Sequence, residues 1–332
     1  APAAPAAAAA QPSDAQTWPT AAVADPTALG FTAEGLAALD ARLQKSVADG
    51  DVAGMVYILG KGGDIAAFNA FGVQSGDPKT GTPMTKDSMF RIYSMTKPVT
   101  GVAMMILFEE GKWRLDDPVT RYIPEFKNLR VVKSWSKDGK MVLEDMTRPP
   151  TMREIMSHTA GFGYGLAEEH PVDKLYREKA VLSAPNLQEM INRTAQIPLM
   201  FQPGTNWYYS SSVDIQGYLI EKLSGQTLGQ FMQSRIFAPL KMNDTAFFTG
   251  PEKASRLAAV YAFDRDLGRI TEAKQLFGVD MPDYTKPPVN ESGGGGLVST
   301  AHDYLQFCRL FLNGGEVGGK AWRGTAQHGQ HR

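Results

Sequence analysis

The chain has 332 residues, room for one large domain or two intimate ones, and its 43% hydrophobic, 10% aromatic and 21% charged residues exclude disordered, collagenous and disulfide-stapled classes. Lys and Arg total 34 against 35 Asp and Glu, a formal net charge of -1 with no basic run, which argues against a nucleic-acid partner. The single cysteine excludes an intrachain disulfide, and the five histidines form neither HExxH nor a Cys/His zinc spacing, so no metal and no cofactor is expected.

Residues 1–27 are rich in Ala and Pro and lack hydrophobic periodicity, so a disordered leader is predicted. This stretch has no Met or basic start, and its composition fits a segment left behind a removed signal peptide, which favours a periplasmic or secreted location over the cytoplasm. Thr32 caps a helix with apolar residues at Leu36, Leu39, Leu43 and Val47. Residues 52–60 and 65–73 read as strands joined at Lys61-Gly62-Gly63-Asp64, a hairpin turn. Helical runs are predicted at 98–110, 152–156, 187–193, 213–223 and 228–236, separated by Gly/Pro loops such as 161–165 and 201–204. A glycine run, 293–296, precedes Leu297-Val298-Ser299-Thr300, and Cys308 lies in an amphipathic stretch, 304–312, where a core position is expected. No apolar stretch approaches the ~20 residues of a membrane span, so no stable membrane insertion is expected. The pattern predicts a mixed α/β (α+β) protein: an α/β subdomain from 28–100 and 290–332, and a helical subdomain, 101–289, inserted between them.

Chemistry concentrates at Ser94-Met95-Thr96-Lys97. Pro98 is tolerated only in a first helical turn, so Ser94 belongs at or near a helix N-terminus, where backbone N–H groups and the dipole favour a developing oxyanion. Lys97 lies one turn on and can reach the Ser94 oxygen, to take its proton or to hold a neighbouring base deprotonated. The alternative, a capping serine beside a solvated lysine, stays open on the tetrapeptide alone. Tyr208 and Tyr209 come after the turn Pro203-Gly204. A tyrosine serves as general base only where a cation favours its phenolate over a phenol of ordinary pKa about 10, and Lys97 is the candidate cation.

Phe90 to Lys97, Leu115-Asp116-Asp117-Pro118-Val119, Ile155 to Gly161 with His158-Thr159-Ala160-Gly161, Pro203-Gly204 to Tyr209-Ser210, and Gly293 to Thr300 with Asp303 stand in one order along the chain. This array resembles the serine β-lactamase-related hydrolases, and within them the class C-like esterases called family VIII carboxylesterases. The resemblance implies a β-lactamase/penicillin-binding-protein-like fold, an antiparallel sheet flanked by helices, with the active site in a cleft beside an inserted helical subdomain. It implies Ser94 as acylated nucleophile, Lys97 as its activating partner and Tyr209 as general base, with Ser211 and Tyr164 binding substrate. His158, Asp116 and Asp117 take structural roles in this scheme, and Trp207 packs the loop that presents Tyr209.

Two departures from the family pattern qualify it. Class C lactamases carry Tyr-x-Asn, whose asparagine contacts a lactam's amide side chain, whereas this chain has Tyr209-Ser210-Ser211. The family's late Lys-Thr-Gly, His-x-Gly or Trp-x-Gly motif cannot be read between Gly315 and Arg332, so the C-terminal strands are expected to be missing. The expected function is hydrolysis of short-chain carboxylic esters through a Ser94 acyl-enzyme, with weak β-lactam hydrolysis on the side and a small-molecule ester or β-lactam as the partner. A β-lactamase, a D-alanyl-D-alanine carboxypeptidase, and an impaired binding or regulatory module of the same fold remain the alternatives.

Overall fold

Thr32 opens the first helix as its sequence predicts, accepting the Gly35 N–H on its hydroxyl at 3.0 Å. The computed structural model describes residues 24–276, 279–317 and 320–321, so most of the expected leader and the tail after 321 lie outside the described residues. Their contacts group the chain into two units. One comprises 24–91, Phe237–Lys286 and 298–321, and the other Ile92–Ile236 and Pro287–Leu297.

In the first unit, helix α1 (Ala33–Ala48) accompanies an antiparallel hairpin, β1 (Gly54–Lys61) and β2 (Asp64–Ser75), with Met55 opposite Phe71. A short β3 (Thr82–Pro83) extends the sheet from β2. Buried Ile65 and Phe68 pack with Val56, Ile58 and with Ala301 and Leu305 of the helix Ala301–Leu312. β4 (Phe90–Arg91) pairs with Val298–Ser299.

Residues 237–286, expected among the helices, belong here instead. Ala258 N donates to Met89 O at 2.8 Å, Ala259 N to Gln74 O at 2.7 Å, and the Arg91 guanidinium to Ala258 O at 2.8 Å. Such long-range pairings leave no local periodicity in the sequence. Cys308, expected in the core, is exposed. Asp303, Gln306, Phe307 and Leu310 form the buried stripe of that helix, and position 308 falls off it. The expected loss of C-terminal strands concerns residues mostly outside those described, which hold only the pair Glu316–Val317 and Lys320–Ala321.

The second unit is built on α2 (Thr96–Glu109), whose Val99, Ala103, Ile106 and Leu107 are buried along one face. β5 (Arg130–Trp135) and β6 (Met141–Asp145) form a hairpin. Then come α3 (Met152–Ser157), α4 (Pro171–Glu178), α5 (Leu187–Thr194), α6 (Ser212–Ser224) and α7 (Leu228–Met232). α6 is buried from Ser212 to Ile220 and packs on α2, α3, α5 and α7. Neither α4 nor the hairpin is predicted from the sequence, since β6 is largely exposed and α4 turns only part of its surface inward. Among the described residues no helix is long and apolar enough to cross a membrane.

Thr151 and Glu154 form a capping box at the start of α3, and Glu154 also holds Arg148 at 2.5 and 2.9 Å. Arg148 in turn donates to Pro203 O at 3.1 Å, tying α3 to the turn that leads to Tyr209. Burial alone would raise the Glu154 carboxyl, but Arg148 and the Thr151 donors outweigh it and hold it below the usual range. Glu154→Ala is expected to cost about 1–3 kcal/mol, because it strands the Thr151 N–H while water already screens the half-exposed Arg148. With the folded carboxyl depressed, its stabilisation is complete above the unfolded value of about 4.3 and fades as pH falls through the folded one. Urea midpoints of wild type and variant should therefore converge in acid; a pH-independent gap would contradict this.

Candidate active site

Ser94 is exposed and lies in a 3-10 turn, Tyr93–Met95, that runs directly into α2. Pro98 is the third residue of that helix, where its missing N–H leaves no intrahelical bond broken. Tyr93, just before Ser94, holds φ at 43°, a left-handed conformation that costs a tyrosine about 1–3 kcal/mol. The turn is braced from outside by Ile92 N donating to Leu297 O at 3.0 Å and Leu297 N donating to Thr96 Oγ1 at 3.2 Å.

Three side chains converge on the Ser94 oxygen's surroundings. Tyr209 Oη lies 2.7 Å from Ser94 Oγ, and Lys97 Nζ lies 3.2 Å from it. Lys97 donates also to Gly294 O at 2.6 Å and to Tyr164 Oη at 3.4 Å. Its ammonium stands 4.6 Å from the centre of the Tyr209 ring and 5.2 Å from that of Tyr164, within cation–π range of both. The two rings meet edge to face at 5.6 Å. Burial, then the charges of Asp214 and Tyr209, push the Tyr164 phenol well up, so it acts as a neutral hydroxyl beside the lysine.

Tyr209 is held from behind by His158, whose ring stacks on it at 5.1 Å. His158 caps α3 at φ 60°, accepts Tyr208 N–H on its carbonyl at 3.0 Å, and accepts Ser210 N–H on Nδ1 at 3.1 Å. Burial, then the Lys97 charge, lowers the His158 imidazole, which keeps Nδ1 free to accept. Asp116 pairs with Arg153, and Asp117 accepts the Arg114 N–H and the Tyr122 hydroxyl, so both hold local structure.

Of the residues expected at the site, the structure brings together Ser94, Lys97, Tyr209 and Tyr164, all within the second unit. It does not bring Ser211 to them as a substrate contact. Ser211 is 1% exposed, and its hydroxyl turns inward to Tyr176 Oη at 3.4 Å, because its position at the start of α6 faces the core. Trp207, expected to pack its loop, is 61% exposed, meeting His158 edge-on at 6.0 Å.

The glycine run has a role that its composition alone did not disclose. Gly294 supplies the carbonyl that Lys97 binds, and its N–H donates to Asp214 Oδ1 at 3.2 Å, which Ser292 Oγ also reaches at 2.5 Å. A Cβ on Gly294 would lie 2.4 Å from Asp214 Oδ2, so glycine is needed there. Burial raises the Asp214 carboxyl, against those hydrogen bonds and the Lys97 charge. Asp214 escapes sequence reading, since a lone acidic residue in a helical run carries no motif.

The family model described as Beta-lactamase matches residues 39–332. Protein Rv1367c of Mycobacterium tuberculosis is 34% identical over 247 residues, which are 73% of this chain and 58% of that protein. Esterase EstB of Burkholderia gladioli is 31% identical over 307 residues, 86% of this chain and 73% of that protein. Among solved structures, EstCE1, a hydrolase with promiscuous acyltransferase activity, superposes with a TM-score of 0.69 at 25% identity, covering 86% of this chain and 74% of that one.

Proposed function

From the premise that the chain belongs to the Beta-lactamase family, we propose that it cleaves short-chain carboxylic esters through an acyl-enzyme on Ser94. The observation that carries this reading is the Ser94 hydroxyl 2.7 Å from Tyr209 and 3.2 Å from Lys97. The step requires Tyr209 as the phenolate, the form that the ammonium of Lys97 beside it favours: as Ser94 Oγ attacks the ester carbonyl, its proton passes to Tyr209 Oη, leaving a neutral phenol. Tyr209 returns the proton to the leaving alcohol as the C–O bond breaks. Water then enters, gives a proton to Tyr209 and its oxygen to the acyl carbon, and Ser94 recovers its proton as the acid departs.

Esters are preferred over lactams in this reading because Ser211 is buried against Tyr176 and offers no side-chain amide beside Tyr209. The similarity to an esterase and to EstCE1 supports the same choice. Purified protein is expected to turn over p-nitrophenyl butyrate at least about tenfold faster than a chromogenic cephalosporin, measured as kcat/KM, a difference of about 1.4 kcal/mol in transition-state binding. The reverse order would make the protein a β-lactamase. Turnover of neither, by a folded sample, would leave a binding module.

A further inference from the structure

Asp173, the third residue of α4, is fully buried and has no part in the chemistry above. Its Oδ1 accepts Tyr164 N–H at 2.8 Å, and its Oδ2 accepts Ala167 N–H at 2.8 Å and the Tyr208 hydroxyl at 2.7 Å. Two segments thus meet on one carboxylate. The first is the loop carrying Tyr164, drawn so close that a Cβ on Gly163 would lie 2.6 Å from Oδ1. The second is the stretch carrying Tyr209, which a further bond, Ser211 N to Gly163 O at 2.9 Å, stitches to the same loop.

We propose that Asp173 is a positioning residue: it sets the spacing between Tyr164 and Tyr209, and so the place of Lys97 between their rings. A carboxylate suits this post because two oxygens offer about four acceptor sites to converging donors, where an asparagine would offer one oxygen. Burial alone would raise its carboxyl, but the N–H groups of Ala167, Gly165 and Tyr164 and the Tyr208 hydroxyl hold it below the usual range, as an anion. The segment bearing Tyr209 is half-exposed and would drift if one tether failed; a shift of about 1 Å can cost about 10² in rate.

The inference rests on the Ser94 chemistry proposed above, and its test separates the two. Full-length wild type, Asp173→Asn, Tyr208→Phe and the double variant are compared by kcat and KM for p-nitrophenyl butyrate. The rate at which a phosphonate probe labels Ser94 is read in parallel, per mole of protein shown folded by its thermal midpoint. Asp173→Asn is expected to lower kcat and labelling about 10–100-fold, and Tyr208→Phe about tenfold, with KM changed by less than about twofold. The double variant should be no slower than Asp173→Asn, since the Tyr208 hydroxyl then has lost its acceptor. A purely structural Asp173 would lower the midpoint but leave kcat and labelling per folded molecule unchanged, and that result overturns the proposal. Should Asp173→Asn not fold, Tyr208→Phe decides alone, with wild-type kcat counting against it. Failure of wild type itself to label would overturn the hydrolase reading, and this inference with it.

Discussion

Ser94→Ala is expected to lower ester turnover by about 10⁴-fold or more while leaving stability within about 0.5 kcal/mol of wild type. The large kinetic effect follows from the proposed acyl-enzyme, since the variant lacks the oxygen that Tyr209 and Lys97 both address. The small structural effect arises from the exposure of Ser94 at the start of α2, where its side chain fills no core space. Two measurements check this together. Initial rates with p-nitrophenyl butyrate should fall to near the uncatalysed level, and intact-protein mass spectrometry after a phosphonate probe should show an adduct on wild type and none on the variant. An adduct that persists, or a rate within tenfold of wild type, would place the nucleophile elsewhere.

Lys97→Met is expected to lower kcat and the labelling rate by about 10²–10⁴-fold with little change in KM. An ammonium has three donors, and here three acceptors take them: Ser94 Oγ, Tyr164 Oη and Gly294 O. Methionine keeps the length of the stem and loses the charge, so the proton moving between Ser94 and Tyr209 is no longer balanced, and Gly294 O is left without its donor. Arginine should not restore the rate, because a flat fork of donors does not match the three acceptors that one compact ammonium meets here. Recovery of wild-type kcat in Lys97→Met would reduce the lysine to packing and leave Tyr209 to act alone.

The proximity of Ser94 and Lys97 was legible in the sequence because it is local: three residues on one helical turn fix their separation, and Pro98 marks where the helix must start. The same holds for the capped helix α1 and for the β1–β2 hairpin, each set by a cap or a turn within a few residues. Tyr209 was legible only through its place in an ordered array of motifs, since 115 residues separate it from Ser94.

What the tertiary structure alone decided is everything that depends on contact between distant segments. It sent Ser211 inward to Tyr176, although Tyr209, two residues earlier, reaches Ser94 Oγ, because the start of α6 turns position 211 toward the core. It made Gly294 the acceptor for Lys97, and gathered Tyr164, Ala167 and Tyr208 on Asp173. It also assigned residues 237–286 to the unit of the hairpin. Helix periodicity and turn chemistry act over one or two turns of chain, so the sequence by itself determines local elements and short-range pairs. Which buried carboxylate meets which loop is governed by the cost of leaving buried polar groups without partners, and that is a property of the folded whole.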